Sequence, residues 1–371
     1  DEALVVTPVG VALDGRGRLF VIESHTHMPP AGYAGPPHDR IKILHDVDGD
    51  GRADRATVFA DGPFRDAMNL AFAPDGTLYV VTRGEVLALR DRDGDDVADE
   101  RRVLLRTETP QRYPHSGLLG VALGLDGLVY VSRGNVGGAP YRWVAAGGAT
   151  LPGFGDGGDI VRVDPLGRRL ERVATGFWNP FQLAFDERGR LFAIDNDPNS
   201  RGPNRLVHVV RGGDHGFRAR FGPSGLHPHV AWAGELPGTL GFVAGTGESP
   251  AGIVVLPDGS ILVSAWAENR LERFRLERRG SSFTSRREIV VQGGEDFRPV
   301  GLARGRDGAL FVADWVKRDY PNHGAGRIWR LSPRTSFAAP PPATAEDELL
   351  RTLGERPPWP TVRDALCAAD V

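Results

Sequence analysis

The chain has a single cysteine, Cys367, so no disulfide framework, thiolate zinc site or covalent c-type haem can be built within it. No apolar run approaches 18 residues and no charged-then-apolar leader opens the sequence, which predicts a segment that neither spans a membrane nor carries its own export signal. Net charge is also lacking. The 45 basic and 48 acidic residues leave -3, which offers no electrostatic footprint for nucleic acid or an anionic membrane. Lysine is almost absent, with only Lys42 and Lys317, and this bias carries no mechanism. Poverty in cysteine fits the cytosol and a bacterial periplasm equally.

What the sequence does have is glycine and proline, 49 and 29 of 371 residues, without a collagen period or low complexity. Such punctuation indicates many short strands and turns. A single compact core seldom grows past about 250 to 300 residues, so this length calls for two domains or for a repeat architecture that spreads its core around a ring. Six copies of one phrase decide for the ring: Pro8 to Ile22, Asn69 to Val81, Gly117 to Ser132, Asn179 to Ile194, Pro250 to Ser264 and Arg298 to Ala313. Each is an apolar stretch, a turn bearing Asp or Arg before glycine, and a second apolar strand, which is a β-hairpin signature.

A second hairpin follows most copies, for example Arg40 to His45 with Thr57 to Ala60, Glu85 to Arg90 with Arg102 to Leu105, and Arg270 to Leu276 with Glu288 to Gln292. Four strands per unit, six times, predict an all-β fold, a six-bladed β-propeller over residues 1–332. Arg327 to Leu331 reads as its last strand. A Pro/Ala-rich linker at 333–345 and the short helical start of a further region at 346–371 are expected to follow.

Two loops suit a hard cation. Asp46, Asp48, Asp50, Gly51 and Asp54 place oxygen ligands at alternate positions with glycine at the sixth, and Asp91, Asp93, Asp95 and Asp99 repeat the pattern with Asp96 where glycine belongs. Thr57 stands at the twelfth position of the first, which is therefore no EF-hand, and a metal-free turn at the propeller's outer edge is the alternative for both. His115, in the run Tyr113 to Gly117 before the third repeat, falls where a loop enters an innermost strand at the mouth of a central channel. A neutral imidazole there can accept a proton from a substrate hydroxyl. Trp178 and Asn179 occupy the equivalent place before the fourth repeat, Asn196 to Ser200 follow its strand, and Arg270 and Arg298 belong to the fifth and sixth repeats. Two guanidinium groups converging on a channel would call for an anion. His25, His27 and His38 sit in a glycine- and proline-rich insertion, read as a mobile loop over the channel in preference to a metal site.

The DVDGDG loop at 46–51, GFWNPFQLAFD at 176–186, VVRGGDHGF at 209–217, FRPVGL at 297–302 and GRIWRL at 326–331 resemble the soluble quinoprotein glucose and sorbosone dehydrogenase superfamily. Within it they are most similar to the propeller of planctomycete-type membrane-bound dehydrogenases, over roughly residues 5–332. The resemblance implies a six-bladed propeller that binds pyrroloquinoline quinone (PQQ) with calcium and oxidises a sugar or polyol. Helical repeats and a cytochrome c segment outside this chain would accept the electrons, in a periplasmic or exported protein. It implies His115 as general base and Asn135 as the residue orienting it. It further implies Asn179, Arg270 and Arg298, beside Trp178, as quinone contacts, and Asp197 and Pro198 as backbone-carbonyl ligands of the cofactor's calcium.

Three departures bear on the cofactor. Trp178, Asn269 and Asp296 stand at positions where the resemblance implies cations, and each charge-assisted contact is worth about 1.5 to 3 kcal/mol. Two rival readings therefore accompany the dehydrogenase. One is a non-catalytic carbohydrate- or protein-binding propeller with structural calcium. The other is a calcium-dependent lactonase using a channel metal near Asp195, Asn196 and Asn179. Function lies in the site and not in the propeller.

Overall fold

The computed structural model describes residues 4–111, 114–198, 201–333 and Phe337. The expected linker, apart from Pro333 and Phe337, and the whole expected helical segment lie outside the described residues, as does Cys367. The described chain is all-β apart from three single-turn 3-10 segments, and its strands form six radial blades.

Blade 1 runs Pro8–Leu13, Leu19–Glu23, Arg40–His45 and Arg55–Asp61, each strand antiparallel to the one before. The innermost strands of the other blades are Asn69–Phe72, Leu118–Leu123, Asn179–Phe185, Pro250–Val255 and Pro299–Arg304. Each of the six touches the next, and Pro299–Arg304 returns to Pro8–Leu13, so the inner strands close a ring. Blade 6 shows three strands among the described residues, ending at Arg327–Leu331. It meets blade 1 by packing, with the Thr7 N–H donating to the Ala325 carbonyl at 2.8 Å.

The repeat phrase dictates this arrangement because a blade is buried on both faces. In Leu19–Glu23, Ile22 faces the apolar layer shared with blade 2, while Val21 faces the layer shared with blade 6. Five more such pairings follow around the ring, so one apolar layer fills each gap between neighbouring blades. This explains why the second strands read as unbroken apolar runs and do not alternate. The six hairpin glycines, Gly17, Gly76, Gly127, Gly189, Gly259 and Gly308, all have φ between +73° and +86°, the left-handed conformation that the turn demands. Nearer the axis the constraint is space: a Cβ on Gly252 would lie 2.1 Å from the Val300 carbonyl oxygen of the next blade.

One hairpin pairs outside the blade whose sequence surrounds it. The hairpin Pro140–Ala145 with Thr150–Phe154 interrupts blade 3 in sequence, yet it pairs with Glu100–Glu108 and extends blade 2 to six strands. Asp159, fully buried on blade 3, holds it there. Its carboxylate accepts from Arg133 Nε at 2.8 Å, Trp143 Nε1 at 3.0 Å, Tyr141 Oη at 3.2 Å and Arg172 Nε at 3.2 Å.

Candidate functional site

The first strand of each blade begins, and the second ends, at the same face of the ring, and a cavity of about 400 Å³ opens there on the axis. His115 enters it from the turn before Leu118–Leu123, Trp178 and Asn179 from the start of blade 4, and Asn196 and Asp197 from the end of that blade's second strand. Trp266 and Trp315 each follow directly on a second strand, in blades 5 and 6. Five aromatic rings, Trp178, Phe181, Trp266, Trp315 and Tyr320, form most of the apolar wall. Trp266 and Tyr320 stack at 5.2 Å between centroids, 8° from parallel.

His115 meets a partner that sequence reasoning did not place in the site. The His27 ring stacks on it at 5.4 Å and 13°, with Phe181 and Tyr320 edge-on to His115 and Trp315 edge-on to His27. The expected mobile loop is at its start nothing of the kind. Residues 24–27 are buried, and the Asp39 carboxylate accepts from the His25 and Thr26 N–H groups and from the Thr26 hydroxyl. The usable signal was position: His27 follows the second strand of the first repeat, as Trp266 and Trp315 follow theirs. His25 instead joins Glu23 and Tyr33 beneath the loop, and His38 pairs with Asp61 at the edge of blade 1.

Burial pushes the His115 imidazole down to about 3, with His27 adding to the effect, and burial pushes His27 down to about 4. Both rings are neutral at neutral pH. Because these values and that of His208, at about 4, lie below the unfolded value of about 6.5, the unfolded chain takes up protons first. Stability should therefore fall as pH drops below about 6.5. His27 alone accounts for about 3 kcal/mol by pH 4, and Asp197, raised to about 6 by burial and by Glu248, offsets part of this. Denaturant unfolding at pH 7 and pH 4.5 reads the difference, and equal midpoints would refute the neutral pair.

Asn179 ties down the backbone of His115. With its amide oriented to satisfy its neighbours, it donates to the His115 carbonyl at 2.9 Å and the Trp178 carbonyl at 2.8 Å, and accepts from Trp178 Nε1 at 3.3 Å. Asn135 backs the same segment: its N–H donates to the Trp178 carbonyl at 2.8 Å and its side-chain oxygen accepts from the Gly137 N–H. Asp195 is fully buried, taken by Arg205 at 2.8 Å and by the Trp178 N–H at 3.1 Å, so its side chain does not reach a channel metal. The Pro198 carbonyl accepts the Arg201 N–H in a turn, and Pro198 does not line the cavity.

Residues 1–216 match the model of a family described as a domain of unknown function, DUF7133. The chain belongs to that family. No curated protein matches the sequence. Among solved structures, the DUF7133 chain is similar to an oxidoreductase (glucose dehydrogenase) of Thermus thermophilus, with 21% identity, 89% of this chain and 98% of that one covered, and a TM-score of 0.64. It is also similar to the PQQ-bound aldose sugar dehydrogenase of Streptomyces coelicolor (19%, 88% and 94%, 0.63) and to the PQQ domain of pyranose dehydrogenase from Coprinopsis cinerea (14%, 87% and 92%, 0.58). At these identities the likeness establishes a shared propeller fold.

The residues of the DUF7133 chain do not fit a tricarboxylate quinone. Among the described residues, no arginine or lysine lines the cavity, and the charged lining side chains are Asp197 and Glu248. Arg270 is turned away, paired with Glu268 and with Glu272 at 2.7 Å. Arg298 is buried behind Trp266 and donates to the carbonyls of Trp266 and Ala267 at 3.3 and 3.2 Å. Three ligand carboxylates would meet two protein carboxylates with no facing counter-charge.

The aspartate loops lie outside the cavity lining. Asp46, Asp48 and Asp50 bring carboxylate oxygens within 4.8 Å of one another, as do Asp91, Asp93 and Asp99. Asp54 and Asp95 stay outside these groups, accepting from the Val47 and Val97 N–H groups. Asp96, at φ +70°, replaces the expected glycine because its carboxylate pairs with Arg18 of blade 1. Among the described residues, no helix is long and apolar enough to cross a membrane.

Proposed function

We propose that the axial cavity holds a carbohydrate or polyol, and that His115 accepts the proton of the hydroxyl that is oxidised. The observation that carries this reading is the stacked, neutral His27 and His115 pair set among aromatic walls at the one mouth where all six blades converge. Aromatic faces suit the apolar faces of a sugar ring, and neutral imidazoles accept from its hydroxyls. A ring whose conjugate acid lies at about 3 is a weak base. It suffices for a proton whose acidity rises as its carbon loses hydride, whereas deprotonating free water, with a pKa near 15.7, is far out of its reach. That contrast favours oxidation over the lactonase reading.

In this reading the hydride passes to a two-electron redox cofactor other than a tricarboxylate quinone, bound beside the sugar, which returns its two electrons singly to a haem partner outside this chain, in an exported or periplasmic setting. Calcium belongs to this reading as a structural ion of the Asp46 and Asp91 loops, whose carboxylates already converge. The missing cations favour a second reading, a propeller that binds its sugar without turnover. Calorimetric titration separates these and tests the quinone directly. With millimolar calcium, PQQ is expected to give no saturable binding in the micromolar range, while an aldose or polyol binds without it. Dye reduction on adding that sugar supports oxidation, binding alone supports the second reading, and tight one-to-one PQQ binding would overturn the charge argument.

A further inference from the structure

Resting on the carbohydrate reading, the geometry points to a more specific ligand: we infer that the cavity prefers a sugar or polyol bearing a positive charge, an amino sugar or hydroxylated amine, over its neutral counterpart. Three independent features converge on a cation. The first is an uncompensated pair of carboxylates. Asp197 and Glu248 both line the cavity, and neither forms an ion pair among the described residues. Glu248 has only neutral donors, Asn204 Nδ2 at 2.8 Å and the Ser249 hydroxyl at 3.3 Å. The nearest arginine in sequence, Arg201, is directed to Glu235 and to the carbonyls of Gly225 and Val230.

The second feature is the wall facing them. Trp178, Trp266, Trp315 and Tyr320 line the same space; Trp266 is already stacked on Tyr320 with Arg298 over its ring, so cation-π contact with a ligand ammonium, about 0.5 to 2 kcal/mol depending on desolvation, falls to Trp178 and Trp315. The third is the His27 ring, which is 7% exposed and lines the cavity; its Nδ1 is buried without a partner, and the neutral ring can accept from an N–H or O–H of the ligand at Nε2. A neutral sugar would use the rings and the imidazole but leave the carboxylates facing each other. An amine uses all three.

The test is isothermal titration of the full chain at low ionic strength with glucose, glucosamine and N-acetylglucosamine, which share a ring and differ at one substituent. Glucosamine should bind at least about tenfold more tightly than the other two, a difference of about 1.4 kcal/mol. In Glu248→Gln, and separately in Asp197→Asn, that ratio should collapse toward one. Equal affinities in the wild type would overturn the charge preference and leave the carbohydrate reading standing, whereas no binding of any of the three would remove both. A stoichiometric calcium ion that competes with glucosamine and is lost in Glu248→Gln would reassign the carboxylates to a metal and also overturn the proposal.

Discussion

His115→Gln should lower sugar-dependent turnover by about 10² to 10⁴-fold, the range for a positioned acid-base group, while sugar affinity changes only a few-fold. Glutamine keeps a polar side chain of similar reach but cannot take up a proton. The backbone that Asn179 holds at 2.9 Å is unaltered by the change, so Trp178 and the rest of the wall should keep their places. Steady-state kinetics with the best sugar, beside calorimetry of the same variant, separates kcat from binding. Because the His115 ring is held neutral to about 3, it should add no inflection near 6.5 of the kind an exposed histidine would give, and any inflection near 6 in wild-type kcat belongs to Asp197 and should be lost in Asp197→Asn. Wild-type turnover in the variant would remove His115 from the mechanism.

The largest effect on stability is expected at Asp159. Replacing it with alanine leaves the fully buried Arg133 guanidinium without its carboxylate and orphans the Tyr141 hydroxyl and the buried Trp143 Nε1. Removing one partner of a buried ion pair costs about 3 to 5 kcal/mol, because the remaining charge stays desolvated. The loss should exceed a single pair's usual effect, since the inserted hairpin is anchored to blade 3 through this carboxylate. Arg142→Ala is the contrast: its pair with Glu108 is solvent-exposed, and about 0 to 1 kcal/mol is expected. Urea unfolding of both variants checks the difference, and a loss below about 1 kcal/mol at Asp159 would show that the hairpin is held by strand pairing alone.

The blades were legible because the signal is repeated six times. Each turn glycine marks a position where only a left-handed backbone closes the hairpin, and each apolar run belongs to a strand buried on both faces. The inserted hairpin was not legible as part of blade 2, because adjacency in sequence favours pairing with blade 3, and only the Asp159 network reveals where it lies. At the site, the sequence indicated His115, Trp178, Asn179 and Asp197, all of which the fold brings to one cavity. It missed His27, Trp266 and Trp315, although each follows the second strand of its repeat, and Glu248 and Tyr320, which lie in connecting loops with no common spacing. It also proposed Arg270 and Arg298 as facing a ligand. An arginine's long side chain turns to the nearest acceptors, which here are Glu268, Glu272 and two backbone carbonyls.

By itself, then, the sequence determined the number of blades, the turn that closes each inner hairpin and the face of the ring on which chemistry gathers, since all three follow from local pattern repeated along the chain. The tertiary structure decided the sign of the cavity. Charge at the axis depends on which side chains from six distant blades turn inward, and among the described residues these blades turn in two carboxylates and two neutral imidazoles while Arg270 and Arg298 turn away from the cavity.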